Sequence, residues 1–174
     1  VNRIDRNTSG IIIAAKNAES LRILNEKLKN RELHKLYLCV VIGTPKQKEG
    51  LLNDYLQKNE KQNKVYVSNK KLENSKEIST KYKVLDSKNG LSLIEIELLT
   101  GRTHQIRAHM SSLGNPLLGD GKYGTNEANK KHGGYKKQFL YSYKLVFDFS
   151  TDAGILNYLN KKEFKVEDVW FKEA

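Results

Sequence analysis

Residues 91–109 read LSLIEIELLTGRTHQIRAH, and the fold follows from how that stretch is parsed. Residues 91–99 read as a strand, and Thr100-Gly101 breaks it. Ile106, Met110 and Leu113 then recur on one face of a short helix, closed by Gly114-Asn115-Pro116. A strand-to-helix junction holds side chains rigidly, and donors gathered at a helix N-terminus suit an anion. Upstream, residues 78–86 read as the strand's hairpin partner, joined through Asn89-Gly90. Residues 35–43 (KLYLCVVIG) form another strand of β-branched and aromatic residues, ended by Gly43-Thr44-Pro45. The lysine-rich stretch 46–76 reads as hairpins with exposed loops. At the start of the chain, IIIAA (residues 11–15) reads as a short buried strand. Asn17 then caps a helix carrying Leu21, Leu24 and Leu28. Downstream, residues 119–136 are read as a loop, 139–149 as a strand and 153–160 as a closing helix. Val169, Trp170 and Phe171 are expected to dock on the core. Long strands with few helices predict an α+β fold, a mainly antiparallel mixed sheet with flanking helices and loops.

The chain has 174 residues and a net charge of +11. That length suits one domain or one large piece of a domain. The basic excess runs through both halves, as on a domain with a basic face rather than a basic tail. It favours a polyanion such as RNA, DNA or anionic lipid, although a solvated lysine-rich surface gives the same composition. A single cysteine, Cys39 in an apolar run, excludes a disulfide scaffold and points to a reducing, cytoplasmic setting. No stretch approaches the ~18 uncharged apolar residues of a membrane span. The first residue is Val1 rather than Met, and a motif stands in the first ten residues, so further chain is expected upstream.

Three segments carry candidate chemistry. In Arg3-Ile4-Asp5-Arg6-Asn7-Thr8-Ser9-Gly10, a carboxylate sits between two arginines. Neighbouring cations favour the ionised form, which serves as nucleophile or base. Taken alone, the same segment also reads as a surface ion pair before a turn. In Thr100–His109, Arg102 stands at the junction, with His104 and His109 five residues apart. That is not the i, i+4 spacing of a helical zinc site, and no metal is expected. Each histidine alone also reads as a hydrogen-bonded structural residue. In His34-Lys35-Leu36-Tyr37, the tyrosine is either core or a platform for a nucleobase. The stretch Gly119-Asp120-Gly121-Lys122-Tyr123-Gly124 matches neither glycine-rich nucleotide motif, so no cofactor is expected.

Together these segments resemble the RluA-type pseudouridine synthases. The family's H-R-L-D-x-x-T-S-G-L-L stands here as NRIDRNTSGII, its K-x-Y as Lys35-Leu36-Tyr37, and its L-x-T-G-R-x-H-Q-I-R-x-H as Leu98–His109. GNPLLGDGKYG is similar to its G-x-P-I-x-G-D-x-x-Y-G. The resemblance covers about residues 1–150 and implies the catalytic fold of that family, in part. It implies that Asp5 is the catalytic aspartate, Arg102 the arginine that pairs with it, and Tyr37 the tyrosine that stacks on the target uracil. It further implies that Arg3 fills the space of a flipped base. Arg3, Arg6, Lys35, Arg107 and Lys122 are expected to contact RNA. The implied reaction breaks the N1–C1′ bond of a uridine and joins C5 to C1′, with no cofactor or metal. Base flipping costs a few kcal/mol, offset in part by the aromatic and the inserted side chain.

Asn2 departs from the family's His, Ile4 from its Leu, and Asn7 from a common acidic residue. Relatives carry a further part of the catalytic domain before the aspartate motif, often after an S4-type RNA-binding domain. This chain is read as the C-terminal portion, residues 1–174, with no S4 domain. Missing strands are expected to expose edges and apolar surface, to impair the piece alone and to favour self-association. The full-length protein is expected to be a monomer. Ribosomal large-subunit RNA is the expected substrate, with transfer RNA possible by the resemblance. A non-catalytic RNA-binding module keeping the fold is the alternative; a glycoside hydrolase lacks an evident second carboxylate. The Asp5–Arg102 pair is expected to be partly buried, with loss of Arg102 costing roughly 3–5 kcal/mol.

Overall fold

A computed structural model describes residues 1–172. Eight strands form one sheet: β1 (Ser9–Gly10), β2 (Leu33–Ile42), β3 (Glu49–Asn59), β4 (Lys64–Ser68), β5 (Lys76–Lys88), β6 (Leu91–Leu98), β7 (Leu140–Phe147) and β8 (Glu163–Lys165). Their order is β1-β7-β2-β6-β5-β3-β4, with β8 also on β7. Among the described residues only β1 runs parallel to its neighbour, and every other pairing is antiparallel. Three helices flank the sheet: α1 (Ala18–Lys29), α2 (Gln105–Ser112) and α3 (Asn126–Lys131). The mixed, mainly antiparallel α+β architecture is the expected one.

The central strand β2 explains its own sequence. Tyr37, Cys39 and Val41 point to one face, where Ile106 and Met110 of α2 cover them. Leu38 and Val40 point to the other, where Phe139, Val169 and Phe171 cover them. A strand buried on both faces reads as a continuous apolar run rather than an alternating one. The Asn89-Gly90 hairpin forms as expected, both residues taking positive φ. Asn17 caps α1, its side chain accepting from Ser20 N–H at 2.8 Å.

Several expectations are corrected. Strand β1 ends at Gly10, so residues 11–15 form no strand, and Ile12 is 56% exposed. The side chain of Asn2 replaces a partner strand there. It accepts from Ile13 N–H at 2.8 Å and donates to the Ile11 carbonyl at 3.4 Å. On α1, Leu21 faces solvent; Ile23, Leu24 and Lys27 make the buried face. The supposed loop 119–136 contains α3, capped by the Thr125 hydroxyl. The closing helix is a 3₁₀ turn, Gly154–Leu159. At the C-terminal end Val169 and Phe171 are buried, whereas Trp170 is half-exposed against Phe139.

Candidate active site

A cleft of about 570 Å³ opens between the aspartate loop, β2 and the turn before α2. It brings Asp5, Tyr37, Arg102, Arg3 and Lys35 together, and adds His34, Glu97 and His104. Arg6, Arg107 and Lys122 do not line it.

The aspartate loop is held at several points. Thr8 N–H donates to the Asp5 carbonyl at 3.0 Å, closing a turn in which Asn7 takes φ 68°. The buried Gln138 amide donates to the Arg6 carbonyl at 2.7 Å and to the Thr8 hydroxyl at 3.2 Å. Gly10 then lies so close to β7 that a Cβ there would stand 2.1 Å from the Ser142 carbonyl oxygen. With φ at +126° as well, the position accepts only glycine.

A bulge places Tyr37. Between the pairs Leu36–Lys144 and Tyr37–Ser142, Tyr143 is the extra residue on β7. Tyr37 faces the cleft yet is only 4% exposed, so its ring is packed wall rather than a free platform. Burial pushes its hydroxyl pKa up; Ser142 offsets part of this and the Asp5 charge adds to it. Two residues earlier, Lys35 lies against Gly101, and burial pushes its ammonium pKa down.

The turn before α2 is sewn down by Gln105, which is 2% exposed. Its carbonyl oxygen accepts from the Thr100 hydroxyl (2.9 Å) and Arg102 N–H (3.0 Å). Its amide donates to the Ser79 carbonyl (3.1 Å) and the Thr80 hydroxyl (2.9 Å). Across the cleft mouth, Arg3 donates to the Thr103 hydroxyl at 2.7 Å, joining the first and third motifs. His104 takes a left-handed φ of 54° and shares a 2.8 Å hydrogen bond between Nδ1 and the Tyr123 hydroxyl. That hydroxyl already accepts from Val65 N–H at 3.0 Å. Burial lowers the His104 pKa, opposed by Asp5.

The expected Asp5–Arg102 pair is not present: Arg102 is exposed on the turn, and Arg107 reaches Asp5 instead, with Nη1 3.7 Å from Oδ2. The reason is geometric. Arg107 lies in the first turn of α2, reaching toward the aspartate loop, whereas Arg102 precedes the helix. Arg107 is anchored by Asp120, donating from Nε to Oδ2 at 2.7 Å and from Nη2 to Oδ1 at 3.1 Å. Its guanidinium also lies over the Tyr123 ring at 5.1 Å. Arg107, expected to contact RNA, is thus buried and does not line the cleft. Asp120 is 1% exposed and also accepts from the N–H groups of Lys122 and Tyr123. Burial pushes its carboxyl pKa up, but Arg107 and these donors hold it below the ordinary value. Lys122 is turned away, donating to the Asn63 carbonyl at 2.6 Å. Arg6 is exposed beside the cleft.

Sequence reasoning missed Asp120, Gln105 and Gln138 as supports of the site. The signals for Asp120 were its place on the D of the family pattern and its setting between two glycines in GDG. His109 proves structural, buried between the Thr80 hydroxyl (2.8 Å) and Asp54 (2.7 Å). Among the described residues no cluster of metal-ligating side chains is present, and no helix is long and apolar enough to cross a membrane.

The fold and the cleft are those of a known family, as comparison with known proteins shows. Residues 1–112 match the RNA pseudouridylate synthase family. The chain belongs to that family, in its RluA-type group. It is 38% identical over 176 residues to an uncharacterized RNA pseudouridine synthase of Mycoplasma genitalium, covering 98% of this chain and 54% of that protein. It is 35% identical over 155 residues to ribosomal large subunit pseudouridine synthase D of Borreliella burgdorferi, covering 88% of this chain and 45% of that protein. The chain therefore spans about half the length of the curated relatives it matches. The solved structure of human RNA pseudouridylate synthase domain containing 1 superposes with a TM-score of 0.72 at 25% identity, over 87% of this chain and 64% of that one.

Proposed function

We propose that the protein carrying this chain is an RNA pseudouridine synthase of the cytoplasm, acting on uridines of large-subunit ribosomal RNA. The observation that carries this reading is the Asp5 carboxylate, set in a 570 Å³ cleft beside Tyr37 with a buried arginine 3.7 Å away. Asp5 is the nucleophile toward the sugar or the base ring. Arg107 orients it, and Asp120 positions Arg107. Tyr37, still protonated at neutral pH, walls the base-binding space. Arg3, Arg102 and Lys35 provide positive charge where the RNA backbone enters. The relatives named as large-subunit ribosomal enzymes support the substrate class.

The experiment is tritium release from 5-³H-uridine ribosomal RNA lacking the modification, with full-length protein and its Asp5→Asn variant. Release by the wild type and none by Asp5→Asn is the expected result. Release that survives Asp5→Asn removes the aspartate from the chemistry; no release from ribosomal RNA moves the substrate to transfer RNA.

A further inference from the structure

A second pocket, of about 360 Å³, opens beside α3 and is separate from the cleft. Lys130 and Lys136 line it, with Tyr135 and Asn126 between the glycine backbones of the Gly119–Gly121 turn. Both lysines are exposed, and among the described residues neither pairs with a carboxylate. Tyr135 is 48% exposed, yet its ring is braced edge-on against buried Phe139 at 4.7 Å. The pocket wall is built tightly. A Cβ on Gly119 would stand 1.9 Å from the Lys137 carbonyl oxygen, and Gly119 takes φ +81°. The Asn129 side chain locks the same turn, accepting from Gly119 N–H at 2.8 Å.

Two links tie this pocket to the cleft. The Gly119–Gly121 turn contains Asp120, which clamps the arginine facing Asp5. The segment leaving Tyr135 reaches Gln138, which holds the aspartate loop through the Arg6 carbonyl. Through Asp120 and Gln138 the pocket's walls are thus joined to the aspartate loop. A braced, half-exposed aromatic ring with two free ammonium groups and an amide fits an unpaired nucleotide: a π-face for any base, cations for its phosphate and an amide for a base edge. An acidic peptide would use the lysines but leave the ring and the amide without purpose.

We propose that this pocket is a subsite for one unpaired nucleotide flanking the target uridine, its base stacked on Tyr135 and its phosphate held between Lys130 and Lys136. The proposal rests on the reading of RNA as substrate, and the test separates the two. Fluorescence anisotropy of the full-length protein with a labelled single-stranded RNA containing the target uridine is run alongside tritium release. Tyr135→Ala should weaken binding roughly ten-fold, whereas Tyr135→Phe should retain wild-type affinity. The double variant Lys130→Ala/Lys136→Ala should lower the slope of log affinity against log salt by about one unit. Wild-type release together with unchanged affinity and slope in these variants overturns the subsite and leaves the enzyme reading standing. Equal losses in Tyr135→Phe and Tyr135→Ala overturn the stacking. A wild type that neither binds RNA nor releases tritium overturns both readings.

Discussion

Arg107 answers to two carboxylates at once, and the balance between them predicts which arginine the structure cannot lose. Removing it leaves Asp120, at 1% exposure, without its cation. Arg107→Ala should therefore cost about 3–5 kcal/mol of stability in urea denaturation. Arg102→Ala, on the exposed turn, should stay within about 0.5 kcal/mol. Equal losses in the two variants would return Arg102 to the buried pair. The sequence held both arginines in one motif but could not rank them. The ranking depends on His104, whose left-handed backbone sets where the helix starts and which side chain meets the aspartate loop. Tyr37 was legible as core or as a platform. Which of the two holds was not, because its placement follows from a bulge at Tyr143 on another strand.

At the scale of elements, local signals were read well wherever partners lie close in sequence: the Asn17 cap, the 89–90 hairpin and the β2 run. They failed where the partner is remote. IIIAA has the composition of a strand, but β7 pairs only as far as Gly10 and the Asn2 side chain takes the next backbone groups. Gly10→Ala should break the β1–β7 pairing and cost about 2 kcal/mol or more, visible as a lowered melting temperature. The join between α1 and β2 holds a second remote device. Buried Lys27 meets Glu32, whose carboxylate also accepts from Ser150 and Thr151. Burial acts to raise the Glu32 pKa, yet these donors bring it from 4.5 to about 2. Above pH 4.5 that stabilisation is complete. As pH falls toward 2 the unfolded chain takes up the proton first, and the stabilisation is lost. Melting temperatures at pH 6 and pH 3 should fall further apart in the wild type than in Glu32→Gln.

Across the whole molecule, the +11 charge becomes a binding property. If six phosphates are contacted, RNA affinity of the full-length protein should drop about 10³-fold between 50 and 200 mM salt. A flat response in a filter-binding titration would place the basic excess outside the interface. The fold class was legible because long strands dominate. The sheet order was not, since β1 joins β7 across more than a hundred residues and β8 joins it only after the 148–162 connection with its 3₁₀ turn. One consequence concerns the back of the sheet. Val169 and Phe171 press on Leu38 and Val40, while Tyr37 looks out from the same strand into the cleft. Among the described residues the last buried ones and the wall of the cleft are thus front and rear of one backbone thickness. A protease that trims the chain before Val169 strikes the cleft from behind, without cutting any residue that lines it.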